Sequence, residues 1–173
     1  LTAIRNVGES VVDSIVKSRD EKGRFTSFFD FLDKVEASVC NKKTVEALIK
    51  AGAFDSFNST RKGLTQIYLE AIDQALENKR AESIGQFDLF AEITLDAGVS
   101  KHVLTDVPNE EWERTLLLTY EREMLGLYVS DHPLFGFENQ LVAAVDLSLS
   151  AIPEETVVHD QIVTVGGLIT GVT

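Results

Sequence analysis

Cysteine is nearly absent. The 173-residue chain holds one, Cys40, so it can close no disulfide on itself, which fits a reducing cytoplasm. No apolar run approaches the roughly 20 residues that a membrane-spanning helix needs. The pattern of a secretory signal is missing too, so secretion is not indicated. Proline occurs three times, and each marks a change of pattern: Pro108, Pro133 and Pro153. Histidine is as scarce. His102, His132 and His159 lie far apart, without a second His, Cys or carboxylate at metal-ligand spacing. His132, before Pro133, reads as a helix stop, and Cys40 as a small buried residue. Gly166-Gly167 lacks the longer glycine pattern of a nucleotide loop. No carboxylate pair has a spacing that suggests two-metal chemistry. The sequence thus offers no catalytic residues, no metal ligands and no cofactor site.

Basic residues are missing from one half only. Residues 1–80 carry 13 Lys and Arg against 12 Asp and Glu, and residues 81–173 carry 3 against 16. A net charge of −12 argues against nucleic acid binding over the whole surface, but it leaves room for a local phosphate-binding face. Apolar residues make up 44% and charged residues 25%, the balance of a globular chain long enough to bury a core. The chain opens on Leu1 and stops inside an apolar pattern, and a piece of a larger protein is expected.

The expected fold is mainly α. Residues 1–18 read as the end of one helix, a turn at Asn6-Val7-Gly8, and a second helix with Val11, Val12, Ile15 and Val16 inward. Arg19–Arg24 reads as a polar loop. Ser27 caps a third helix, with Asp30 three residues on, Phe25 at the entry, and Phe28, Leu32 and Val35 inward. Asn41 caps a fourth, which carries Val45, Leu48 and Ile49. Ala51-Gly52-Ala53-Phe54 turns the chain into a fifth helix, about Thr60 to Arg80, with Leu64, Tyr68, Ile72 and Leu76 on one face. Residues 81–107 read as a linker. Pro108-Asn109 opens a long helix with Trp112, Leu116, Tyr120, Met124 and Leu127 buried, and a short helix is expected around Phe137–Ala144. After Pro153 the pattern becomes β, with Val157, Val158, Ile162, Val163, Val165, Leu168 and Ile169. The expected divisions are 1–80, 81–107, 108–152 and 153–173.

Two helix–turn–helix units therefore stand in tandem, each with a glycine in the turn before its second helix. The first N–H groups of a helix lack internal partners and face a positive dipole end. Glycine lets a phosphate come close. Lys42 and Lys43 begin one helix, and Arg61 and Lys62 begin the next. There the dipole disfavours a cation by about 0.3–1 kcal/mol. Four cations at such positions make sense if an anion normally lies there; solvated surface residues are the plainer explanation. Asn6, Val7, Gly8, Lys42, Lys43, Gly52, Arg61 and Lys62 are the candidate contacts to a nucleic-acid backbone. Inside the linker, Gln86-Phe87-Asp88-Leu89-Phe90 gathers three apolar side chains. It either folds back on its own domain or docks on a partner, with Leu89 and Phe90 as anchors and Gln86 setting the register.

Leu1–Val16, Phe25–Val35, the run Leu48-Ile49-Lys50-Ala51-Gly52-Ala53-Phe54-Asp55 within Cys40–Phe57, and Glu121–Leu134 resemble one family. It is the bacterial DNA polymerase III alpha subunits, the C-family replicative polymerases, in the region C-terminal to the fingers. The resemblance implies a tandem helix-hairpin-helix unit, then a sliding-clamp-binding pentapeptide, then an OB-fold. Gln86–Phe90 is similar to that pentapeptide, whose pattern is Gln, any residue, Ser or Asp, Leu, Phe. The end of the chain, residues 157–173, is similar to the first strand of a truncated OB-fold. By this resemblance the partners are duplex DNA without sequence preference, the clamp and the rest of the polymerase chain. The parent would be a nucleotidyltransferase using Mg2+, with its palm carboxylates outside this piece. Asn6 stands where many such hairpins carry Gly. Two other readings compete: a structural helical spacer without DNA binding, and the same region of an error-prone paralogue.

Overall fold

The computed structural model describes residues 1–83, 106–147 and 160–169. It divides into two compact units, Leu1–Leu127 and Tyr128–Thr173. Among the described residues, five α-helices build the first: α1 (Glu9–Lys22), α2 (Phe28–Lys34), α3 (Lys42–Lys50), α4 (Arg61–Ser83) and α5 (Arg114–Leu125).

The opening residues are turns, not the end of a helix. Ile4 N–H donates to Leu1 O at 2.9 Å and Val7 N–H to Ile4 O at 3.1 Å. Ile4 and Val7 are buried. α1 runs on through the expected polar loop as far as Lys22 and stops where Gly23 takes φ +82°. Arg19 and Lys22 lie in its last turn, where the dipole favours cations, so this polar stretch suits a helix end. Ile15 is buried, Val11 and Val12 are half-buried, and Val16 is exposed.

Both expected caps form. The Ser27 hydroxyl accepts from Asp30 N–H at 3.0 Å, and the Asn41 side chain accepts from Lys43 N–H at 2.9 Å. Asp30 reaches back past Ser27: its Oδ2 accepts from Thr26 N–H at 2.7 Å, Thr26 Oγ1 at 3.0 Å and Lys34 Nζ at 2.9 Å. Phe25 meets Phe31 edge-to-face at 5.2 Å and fixes the angle at which the chain enters α2. α2 and α3 both pack on α4. Between them Phe54 meets Phe28 at 5.2 Å and Phe31 at 5.0 Å, above Leu32, Val45, Leu48, Ile49, Leu64 and Ile72.

α4 holds 23 residues and starts at Arg61, one residue beyond its cap. Thr60 Oγ1 accepts from Gly63 N–H at 3.2 Å. The following helix departs from expectation. Residues 106–113 are not helical, and α5 begins only at Arg114. Its buried residues are Leu118, Glu121 and Met124, while Leu116 is 37% and Leu127 56% exposed. The cause is tertiary. Pro108 O accepts from Thr60 Oγ1 at 2.8 Å, and a Cβ on Gly63 would stand 3.0 Å from the Pro108 carbonyl carbon. The Pro108–Glu113 stretch is thus held extended along the start of α4.

The second unit contains α6 (Glu138–Ala144), close to the expected span. Asp146 N–H donates to Thr164 O at 2.9 Å, and Asp146 Oδ2 accepts from Thr164 N–H at 2.8 Å. No β-strand forms among the described residues. The β pattern of Ile162 to Ile169 therefore makes no strand among the described residues. Val157 and Val158 lie outside the described residues. None of this unit's described residues is fully buried.

Asp30 carries a pH signature. Burial pushes its carboxyl upward, but Lys34 and the two Thr26 donors outweigh this and hold it below its ordinary value of 3.8. A depressed folded value means stability that is present above that ordinary value and lost as pH falls through the folded one. Asp30→Asn is expected to cost about 1–2 kcal/mol at pH 7. In urea unfolding, the gap to the parent should close as the pH drops below that ordinary carboxyl range.

Candidate nucleic-acid interface

The first hairpin turn is made by Asn6, not by its glycine. Asn6 takes φ +66°, a left-handed conformation that asparagine tolerates. Gly8 is extended, with φ −75° and ψ 159°, and caps α1 without a side chain. A Cβ there would meet only Ser10 Oγ, at 4.0 Å, so the start of α1 is open to approach. Val7 is buried, and any contact it makes to a ligand must use its backbone.

This turn sits against the start of α3. Thr44 Oγ1 donates to Asn6 O at 3.4 Å, and Arg5 N–H donates to Met124 O at 2.8 Å at the end of α5. Asn6, Lys43, Glu46, Lys50 and Glu123 line a cleft of about 300 Å³ between these elements. Lys42 and Lys43 are exposed. Lys42 makes an open ion pair with Asp73 at 3.5 Å, and Lys43 makes none among the described residues. Lys50 was not singled out by the sequence. Its ammonium is 2.8 Å from Glu46 and 4.8 Å from the Tyr120 ring centroid. Burial lowers the affinity of Lys50 for its proton, but Glu46 and Tyr120 outweigh it and raise the value above the ordinary one.

The second hairpin is wired differently. Ala53 N–H donates to Leu48 O at 2.9 Å and Gly52 N–H to Ile49 O at 3.0 Å, with Gly52 at φ +77°. This is a Schellman closure of α3. The glycine is required twice, since a Cβ would also stand 2.6 Å from Arg61 Cζ and 2.8 Å from Asp55 Oδ2. Arg61 corrects the sequence reading. Its side chain is 7% exposed and turned inward. It donates through Nε to Asp55 Oδ1 at 2.9 Å, through Nη2 to Asp55 Oδ2 at 2.6 Å, and through Nη2 to Glu121 Oε1 at 3.0 Å. Nη1 reaches Lys50 O at 3.4 Å. Burial works against the guanidinium's charge, but Asp55 and Glu121 more than compensate and raise its pKa.

An anion does lie at the start of α4, as the cations there suggest, and it comes from the same chain. Glu111 Oε2 accepts from Arg61 N–H at 2.7 Å and Oε1 from Lys62 N–H at 3.0 Å. Lys62 Nζ pairs with Glu110 at 2.8 Å, and that pairing lowers the Glu110 pKa. Gly52, Arg61 and Lys62 therefore do not join Asn6, Gly8, Lys42 and Lys43 in an open face. Glu111 and Glu121 were missed because they reach Arg61 across 50 and 60 residues; Asp55, only six residues away, was missed because Arg61 was read as an outward contact. The one local sign was Pro108, which favours an extended residue before it.

Gln86, Phe87, Asp88, Leu89 and Phe90 lie outside the described residues, as do His102 and His159. Among the described residues no group of three or more His, Cys, Asp or Glu is arranged to hold a metal, and no helix is long and apolar enough to cross a membrane.

The Arg61 network makes a stability prediction. Arg61→Met removes a 3.0 Å charged partner of the 1%-exposed Glu121 side chain and should cost about 3–5 kcal/mol in denaturant unfolding. Adding Glu121→Leu should return a substantial part of that loss. A double variant as unstable as the sum of the two single ones would mean that the pair is not coupled.

A helix-hairpin-helix motif model matches residues 1–64, which takes in both hairpins. DNA polymerase III subunit alpha of Mycobacterium tuberculosis is 49% identical over 173 residues, covering 99% of this chain and 15% of that protein. The Saccharopolyspora erythraea subunit is 47% identical over 178 residues, with 99% and 15% covered. The Borreliella burgdorferi subunit is 33% identical over 174 residues, again with 99% and 15% covered. Along nearly its whole length, then, the chain belongs with DNA polymerase III alpha subunits, as a piece that spans about 15% of the relatives it matches.

Proposed function

We propose that this segment holds the backbone of the duplex leaving a polymerase III alpha subunit, without reading bases, and that its linker docks the sliding clamp. The observation that carries the DNA part is the matched hairpin motif with an open face. Asn6 and Gly8 leave the start of α1 accessible, and Lys42 and Lys43 stand exposed at the neighbouring start of α3. Contacts of this type position a protein on DNA without specifying sequence. For the clamp part the support is the pentapeptide Gln86–Phe90 itself, together with its place after a hairpin domain. Two tethers raise the effective concentration of the enzyme at its primer beyond what either gives alone.

Nucleotide transfer and its Mg2+ belong, on this proposal, to the rest of the longer polymerase, which works in the cytoplasm. The 153–173 stretch is read as the opening of an OB-fold that the longer chain completes, on the strength of its β-type pattern.

One observation favours a second reading. The second hairpin spends Gly52, Arg61 and Lys62 on internal contacts, as a purely structural spacer would. Titration of the chain with a short duplex separates the two. The expected affinity falls steeply with salt, with a log–log slope of about −0.9 per phosphate neutralised. Lys42→Glu with Lys43→Glu should weaken binding about tenfold or more at low salt, and Lys62→Glu far less. No binding at 50 mM salt would establish the spacer. For the clamp, Leu89→Ala with Phe90→Ala should abolish binding to the isolated ring, and unchanged affinity would remove that part of the proposal.

A further inference from the structure

Most of the positive charge in the larger unit is spent internally. Lys17, Arg19, Lys34, Lys42, Lys50 and Lys62 each have a carboxylate oxygen at 3.9 Å or closer. Arg61 is held by Asp55 and Glu121, and Lys22 and Lys79 donate to the Lys34 and Asp33 carbonyls at the end of α2. With 28 acidic residues against 16 basic ones, a cation in this chain has carboxylates to choose from. Arg5, Arg24, Lys43 and Arg80 are exposed and make no ion pair among the described residues. Arg80 lies in the last turn of α4, where the dipole favours a cation, and Arg24 stands in the loop after α1. Arg5 and Lys43 differ from these, because both border one turn.

That turn is clamped from two sides. Arg5 N–H donates to Met124 O at 2.8 Å, near the end of α5. The next residue, Asn6, takes φ +66°, and its carbonyl accepts from Thr44 Oγ1 at 3.4 Å, on the residue after Lys43. Asn6 and Lys43 share the lining of the 300 Å³ cleft with the buried Ala47 and Met124. Lys50 lines it too, but Glu46 neutralises it at 2.8 Å and Glu123 bears on it as well. Lys43 is thus the uncompensated cation of the cleft. Arg5 is bonded to one of the lining residues and adjoins another. Two like charges at one turn repel, and the repulsion is relieved when an anion comes between them.

We propose that Arg5 is a further phosphate contact of the first hairpin, acting with Lys43 as a two-cation clamp on the duplex backbone. The inference rests on the duplex-binding reading above, and it adds a residue and a ranking. The guanidinium is planar and always charged, and it can hold two phosphate oxygens at once, where the Lys43 ammonium acts as a point charge. With the backbone fixed at Arg5 N–H and Asn6 O, less freedom is lost when the side chain engages. Lys42 contributes less than its neighbour Lys43, because Asp73 must first release it.

The test compares Arg5→Gln, Arg5→Lys, Lys43→Gln and Arg24→Gln with the parent chain. Each is titrated with a short duplex at about 50–200 mM salt, after a thermal melt shows it folded. Arg24→Gln removes the same charge from an exposed side chain beyond the other end of the 14-residue α1. Arg5→Gln and Lys43→Gln should each bind about three- to tenfold more weakly than Arg24→Gln, with a salt slope shallower by about 0.9, one phosphate fewer. Arg5→Lys should keep the parent's slope and lose only part of the affinity. If Lys43→Gln weakens binding while Arg5→Gln merely matches Arg24→Gln, the clamp is overturned and the duplex reading survives. If the parent binds but both match Arg24→Gln, the clamp and the first-hairpin face fall together. No binding by the parent at about 50 mM salt would remove the clamp along with the reading it rests on.

Discussion

A buried guanidinium organises the larger unit. Arg61 is fixed on one side by Asp55, from the turn that follows α3, and on the other by Glu121, from α5. It also touches the Lys50 carbonyl at the end of α3. One side chain at the start of α4 thus ties together the end of α3, the turn that follows it and the buried face of α5, and the sequence must provide for it. Gly52 has no Cβ because the guanidinium occupies that space. α5 must present a carboxylate on its buried face, which explains why Glu121 is among the most deeply buried side chains of the unit. Leaving either charge unpaired in such a place costs several kcal/mol, so the three positions behave as one constraint.

That constraint divides the tandem hairpins by role. The first leaves its helix start open and has exposed lysines beside it at the start of α3. The second is closed from both sides, by Arg61 beneath the turn and by Glu111 over the start of α4. The Pro108–Glu111 stretch is held at the start of α4, and Ser83 lies at the other end of the same helix. α4 rises about 1.5 Å per residue, so the two ends of its 23 residues are roughly 35 Å apart.

What could be read in the sequence was local. Ser27 and Asn41 capped their helices as their types require, because a cap depends on residues three or fewer positions away. The turn at Asn6, the α3 and α4 inner faces and the short α6 followed from the same short-range rules. What could not be read was set across the chain. The run from Pro108 has acidic residues suited to a helix start, but its carboxylates go to another helix, 48 to 50 residues earlier. The buried face of α5 keeps the expected Met124 but takes Leu118 and Glu121 in place of Leu116 and Leu127. The positive charges at the start of α4 did signal an anion. Periodicity and charge position could not say that the anion was internal. Nor does the β-type pattern of 160–169 make a strand among the described residues.

The most direct test of this division is a map of backbone amide shifts as a short duplex is added to the chain. The account predicts the largest changes at Asn6 to Ser10 and Lys42 to Thr44, with Gly52, Arg61 and Lys62 nearly still. The largest changes at Gly52, Arg61 and Lys62, with the first hairpin unmoved, would contradict it.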